Sequence, residues 1–160
     1  MIDFLKKLDE GFSKAVRIIC TILMAMIFIM FILNVFVRFV PVYNFTQLDD
    51  WIQFCLIWMI FLGSQELVRT RNHFVVDFLA ERIRNSSLKR ILRVIVCTIE
   101  LTTYAVVAGF GFVWVAKSNS YMQSIPWMQV RWMYLAIPFS AVFMTLYSFR
   151  DLLHVLKSAK

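Results

Sequence analysis

The chain has 160 residues, of which 61% are hydrophobic and only 17% charged, a mixture too apolar for an ordinary soluble domain of this length. Its 17 Lys and Arg against 10 Asp and Glu sit in short runs between long apolar segments, which suits lipid headgroups and membrane topology better than a nucleic-acid surface. The expectation is an all-α integral membrane protein, one membrane domain over residues 1–160 with no nucleic-acid partner.

In chain order, Ile2, Leu5, Leu8 and Phe12 fall three or four apart with Lys6, Lys7 and Lys14 among them. That spacing predicts an amphipathic surface helix over residues 1–17. Span one follows from Ile18 to Val40. No Ala-x-Ala-like cleavage site comes after it, so it reads as a retained anchor. Span two runs from Trp51 to Val68, span three from Val94 to Ala116 and span four from Trp132 to Phe149. About 20 apolar residues cross the hydrocarbon, so the shorter second and fourth spans should lean on interfacial residues at their ends. Between spans two and three, in the loop 69–93, Phe74, Phe78, Leu79 and Ile83 predict a second surface helix that ends at the Asn85 to Ser87 break.

Lys and Arg set the orientation. The N-terminal arm, the middle loop and the C-terminus together hold 14, whereas the other side has only Arg38, Lys117 and Arg131 and also carries Asp49 and Asp50. Both termini are therefore expected in the cytoplasm. Trp51, Tyr121, Trp127 and Trp132 then gather near the outer interface, where amphipathic rings are favoured.

Candidate sites are few. His73 and Asp77 are four apart and share a helix face. A hydrogen bond that starts a surface helix accounts for the pair better than a metal, because nothing else completes a ligand set. Bis-histidine haem needs imidazoles within spans, and His73 and His154 both lie at span ends. Cys20, Cys55 and Cys97 read as buried thiols without disulfide or zinc spacing. Gly109 and Gly111 lie inside an apolar helix without a preceding strand, so they form no phosphate loop. With no Ser/His/Asp set at one membrane depth, the chain reads as a non-enzyme without a cofactor of its own.

Glu100 lies about 10 Å past Arg93 and so well inside the hydrocarbon, where it needs a partner or a proton. Thr98, Thr102, Ala105 and Gly109 form one small-residue face of span three; Glu100, Tyr104, Val107 and Gly111 lie opposite. A lone four-helix bundle buries only one of these faces, so the pattern points to contact with another protein. A hydrogen bond within the bundle and a proton relay are the alternatives for Glu100. Glu66 has Arg69 three residues on. Arg38 is expected to snorkel or to pair with Asp49 or Asp50. Trp58, two turns deeper than Trp51, is read as a packing anchor, with a lipid-facing ring as the alternative.

The ordered set of these features resembles the small membrane subunit, the DctQ-like or Q subunit, of tripartite ATP-independent periplasmic (TRAP) transporters. Asn34, Arg38 and Phe39 are similar to the family's Asn-x-x-x-Arg-aromatic pattern, and Asp49-Asp50 stands where the family usually has Glu-Glu. Trp58, Phe61-Leu62-Gly63, Arg69, His73 and Val76-Asp77 resemble its next elements in order, although Asn72 replaces a frequent glycine. Ser124 to Pro138, with Pro126, Trp127 and Pro138, resembles the stretch leading into its last span.

The resemblance implies an accessory role. A larger M subunit would hold substrate and sodium, a periplasmic binding protein would deliver an organic acid anion, a C4-dicarboxylate or a sialic acid, and this chain would scaffold the large subunit. It also implies that Arg38, Asp49, Asp50 and Trp51 form an outer interface and Glu66, Arg69, His73 and Asp77 an inner structural corner. The rival expectation is a homodimeric proton-coupled exporter of four spans that uses Glu100.

Overall fold

The structure, a computed structural model, describes residues 2–39, 47–70 and 86–157. It contains α1 (Ile2–Phe39), α2 (Gln47–Thr70), α3 (Ser86–Lys117), the short α4 (Arg131–Tyr134) and α5 (Ala136–Lys157). Four stretches are long and apolar enough to cross a bilayer: Asp9–Phe39, Gln47–Thr70, Arg90–Lys117 and Arg131–Lys157. The chain is a multi-pass membrane protein.

The helices outrun the expected spans. α2 has 24 residues, roughly 36 Å at 1.5 Å each, so it crosses ~30 Å of hydrocarbon unaided. Its first turn carries Asp49 and Asp50 and its last turn Arg69, each sign set against the helix dipole in the favourable sense. α1 is one helix of 38 residues that runs on through residue 17, where the expected surface arm gives way to span one. α1 holds no proline and a single glycine, Gly11, which costs only about 1 kcal/mol. Nor are residues 9–16 a free surface segment. Ser13 and Val16 are buried, and Phe12 stacks on Phe143 of α5 with ring centroids 4.7 Å apart. The second surface helix, residues 74–83, lies outside the described residues.

The helices form an open layer instead of a bundle. α1 packs on α2, α2 on α5 and α5 on α3, in that spatial order, with α1 also touching α5 at its N-terminal end through Phe12 and Asp9, and among the described residues α3 does not pack against α1 or α2. α1 begins and α5 stops at one end of the layer, called proximal; the loop from 118 to 130 is at the distal end. In lipid, nothing hydrophobic drives helices together, so they meet where small residues allow close packing. On α5, Ser140 and Ala141 are buried, and on α3 Ala108 is buried while a methyl added at Gly111 would stand 3.0 Å from Pro138. α1 offers large side chains around most of its circumference, and Phe28, Phe31 and Phe36 stay more than half exposed.

The two faces of α3 have different fates. The Gly111 side packs into the layer, whereas Thr98, Thr102, Ala105 and Gly109 are exposed. Thr98 and Thr102 donate their hydroxyls to the carbonyls four residues back, at 2.8 Å each. A face that satisfies its own hydroxyls tolerates lipid, so it is a weaker sign of a partner than the residue types alone suggested.

Pro138 explains why α4 and α5 are separate. A proline has no N–H to give the carbonyl four residues back, but it suits a first helical turn. The chain therefore turns at Leu135 and restarts at Ala136. Leu135 N–H reaches the Arg131 carbonyl at 2.9 Å, and the Trp132 carbonyl accepts the indole N–H of Trp58 at 3.2 Å. The half-buried Trp58 ring has Phe54 and Phe139 beside it.

Candidate functional site

Polar side chains collect at the two ends of the layer. At the proximal end, Arg69 of α2 donates from Nη1 to Asp9 Oδ2 at 2.8 Å and from Nε to Glu66 Oε2 at 3.1 Å. The other oxygen of Asp9 accepts the Tyr147 hydroxyl at 2.9 Å, and that of Glu66 accepts the Ser13 hydroxyl. Arg17 Nε lies 3.6 Å from Glu66 on the exposed rim. Two acids and two arginines thus balance, and the chain of bonds joins α1, α2 and α5, which carry these residues.

Helical spacing explains the convergence. Asp9, Ser13 and Val16 repeat at four and three residues on the α1 face toward α2, and Glu66 and Arg69 are three apart on α2. The Glu66–Arg69 pair was readable from the sequence. Asp9, Ser13 and Tyr147 were missed; the available signal for the first two was an acid and a serine beside the apolar side of the arm. His73 and Asp77, the other members of the expected corner, lie outside the described residues.

At the distal end, adjacent acids serve different neighbours because one helical step turns about 100°. Asp49 Oδ1 accepts the Asn34 amide of α1 at 2.6 Å. Asp50 Oδ2 accepts the backbone N–H of Ser124 at 2.7 Å. Arg38 is exposed, and among the described residues no ion pair joins it to either acid. The expected local pair is replaced by two uncharged donors, which reach the acids from α1 and from the loop.

That loop is a tight hairpin. Val130 N–H reaches Ser120 O and Met122 N–H reaches Met128 O, both at 3.0 Å, and Met128 N–H closes a turn on Ile125 O at 3.0 Å with Pro126 in second place. The turn drives Ile125, wholly buried, between Met122 and Met133, against Trp51, Phe54 and Ile57. Trp127 and Trp132 remain exposed at 72% and 55%, as belt residues should, and Trp127 lies 6.3 Å from the Trp51 ring. Asp50→Ala removes a charge-assisted bond that orders this loop, an expected loss of about 2 kcal/mol in thermal or denaturant unfolding, with Asp49→Ala costing less because its partner stays solvated.

Three other sites stand apart. Glu100 is half-buried on α3, which among the described residues packs on α4 and α5. Gly63 faces open space. Of the cysteines, Cys55 and Cys97 are buried, but Cys20 is half-exposed at the α1–α2 seam, and all three are free thiols. Among the described residues, no three His, Cys, Asp or Glu converge as a metal site. Each carboxylate of the proximal cluster is spent on a structural donor. The arrangement can hold helices and present surfaces.

Residues 27–158 match the family model described as tripartite ATP-independent periplasmic transporters, DctQ component. No curated protein is significantly similar to the chain.

Proposed function

We propose that this chain, which belongs to the DctQ component family of tripartite ATP-independent periplasmic transporters, acts as the membrane scaffold of a large permease subunit. The family is a transporter component and not a family of enzymes. One observation carries the reading: the four crossing helices form an open layer in which α1, beyond its proximal contact with α5, packs on α2 and α3 packs on α4 and α5, so broad apolar faces, such as that of Phe28, Phe31 and Phe36, remain for other membrane helices. A chain that bound and moved a solute by itself would need an enclosed polar path, and a single layer encloses nothing.

In this reading the layer widens the immobile part of a sodium-coupled permease in the bacterial inner membrane. The proximal end, with both termini, faces the cytoplasm. Sodium and substrate, an organic acid anion of the C4-dicarboxylate or sialic acid type, belong to the large subunit. A periplasmic binding protein delivers the substrate, and the exposed distal residues Arg38, Trp127 and Trp132 are this chain's contribution to that docking side.

Gentle extraction of the tagged chain from its native membrane, followed by mass spectrometry, is expected to recover a large multispanning permease in stoichiometric amount. A homodimer that alone catalyses proton-coupled efflux, lost in Glu100→Gln, would overturn the proposal.

A further inference from the structure

Along the seam of α1 and α2 runs an open groove of ≈ 600 Å³, lined by Thr21, Met24, Ala25 and Phe28 of α1 and by Met59 and Gly63 of α2. Its lining is almost wholly apolar. A methyl added at Gly63 would meet nothing within 4 Å, so no contact inside the chain requires glycine there. What the missing side chain does is leave the groove open.

The groove has a charged mouth. At 100° per residue, Arg17 falls on the same face of α1 as Met24 and Phe28, about one turn beyond Thr21 toward the proximal end, and Lys14 follows less than a turn further. Both are exposed, and Thr21 Oγ1 donates to the Arg17 carbonyl at 2.9 Å, which marks the step from groove to mouth. The Arg17 side chain is 65% exposed, and its contact with Glu66, at 3.6 Å, is through Nε alone. Its terminal nitrogens make no hydrogen bond to the described residues. Glu10, also exposed, is an acid further along this face, and Lys7 beyond it is exposed as well. Among the exposed residues of this stretch, Lys7, Lys14 and Arg17 outnumber Glu10, with Arg17 shared at its Nε with Glu66.

We propose that this groove holds an acyl chain of an anionic phospholipid whose phosphate is bound by Arg17 and Lys14. An apolar slot that ends in a guanidinium fork and an ammonium matches a lipid tail that ends in a phosphate. A partner helix laid in the same slot would fill the apolar part and leave both cations without use, so charge complementarity favours the lipid. Because the groove lies within this chain, the inference holds whatever cargo the assembly carries.

The test uses the full chain with its co-purifying subunits in nanodiscs of phosphatidylglycerol and phosphatidylethanolamine, doped with a photoreactive acyl-chain analogue of one lipid or the other. The phosphatidylglycerol probe is expected to label peptides carrying Met24, Phe28 or Met59 in preference to the other probe. Lys14→Gln should lower that labelling about fivefold, and Gly63→Leu, which has room to fold, should abolish it. Equal labelling by the two probes, or labelling spread along α1 and indifferent to both substitutions, overturns the proposal. So does a wild-type groove that takes no probe while Gly63→Leu releases the other subunits, since the occupant is then a partner helix.

Discussion

Arg69→Ala is expected to cost about 3 kcal/mol and to lower the yield of folded protein more than any other single change at the proximal end. Arg69 is the only described cation within 3.5 Å of both Asp9 and Glu66. Its side chain is 16% exposed, and those of the two acids 29% and 14%. Removing it leaves two carboxylates close together with little water and only the rim residue Arg17 as a counter-charge. The cost comes from that stranded charge, not from the lost contacts, and this gives the test its second arm. Neutralising the acids together, as Asp9→Asn with Glu66→Gln in the Arg69→Ala background, should recover much of the stability. Arg69→Lys should fall between, because one ammonium cannot reproduce two directed N–H bonds from one planar group. The measurement is thermal unfolding of the detergent-purified protein. Unfolding of Arg69→Ala at the wild-type temperature, or no recovery in the triple variant, would show that the cluster does not hold the helices.

Ile125→Ala is expected to have a similar effect, about 3 kcal/mol, at the opposite end. Loops usually run over the surface and tolerate change. This one plugs the layer: Ile125 is 0% exposed in a cluster with Met122 and Met133, and the rings of Trp51 and Phe54 pack on it. Truncation leaves a void that the hairpin cannot close, since its backbone is already tied by the Tyr121 and Gln129 bridge and by Asp50. Trp127→Ala is the control. That larger side chain is 72% exposed two residues away, and its loss should change stability by no more than about 0.5 kcal/mol. Limited proteolysis in the loop, with the unfolding midpoint, reads both. Faster cleavage of Trp127→Ala than of Ile125→Ala would mean that burial of Ile125 is not what orders the hairpin.

These two residues also show what pattern reasoning reaches. Arg69 was visible because Glu66 is three positions away on the same helix, a relation that depends only on helical pitch. Its second partner, Asp9, is 60 positions away, and no local spacing encodes a meeting at that separation. Ile125 was passed over because a lone isoleucine between serine and proline carries no periodicity. The acidic pair was singled out, but its donors were misassigned. Arg38, one residue from the end of α1, looked like a natural partner when it did not snorkel, and the amide of Asn34 and the backbone of Ser124 hold the closer positions.

The sequence by itself determined the class, the four crossings, the placement of basic residues at one end and the family. All of these follow from composition, apolar run length and motif order, which the chain carries locally whatever its neighbours do. Only the tertiary structure decided that the helices make a layer in the order α1, α2, α5, α3. It also decided that α1 runs unbroken from its basic arm, and that a hairpin seals the distal end. The reason is physical: in lipid every apolar face is tolerated, so hydrophobicity places a helix across the membrane but cannot choose its neighbour. Small residues, proline breaks and paired charges make that choice, through contacts between positions far apart in the chain.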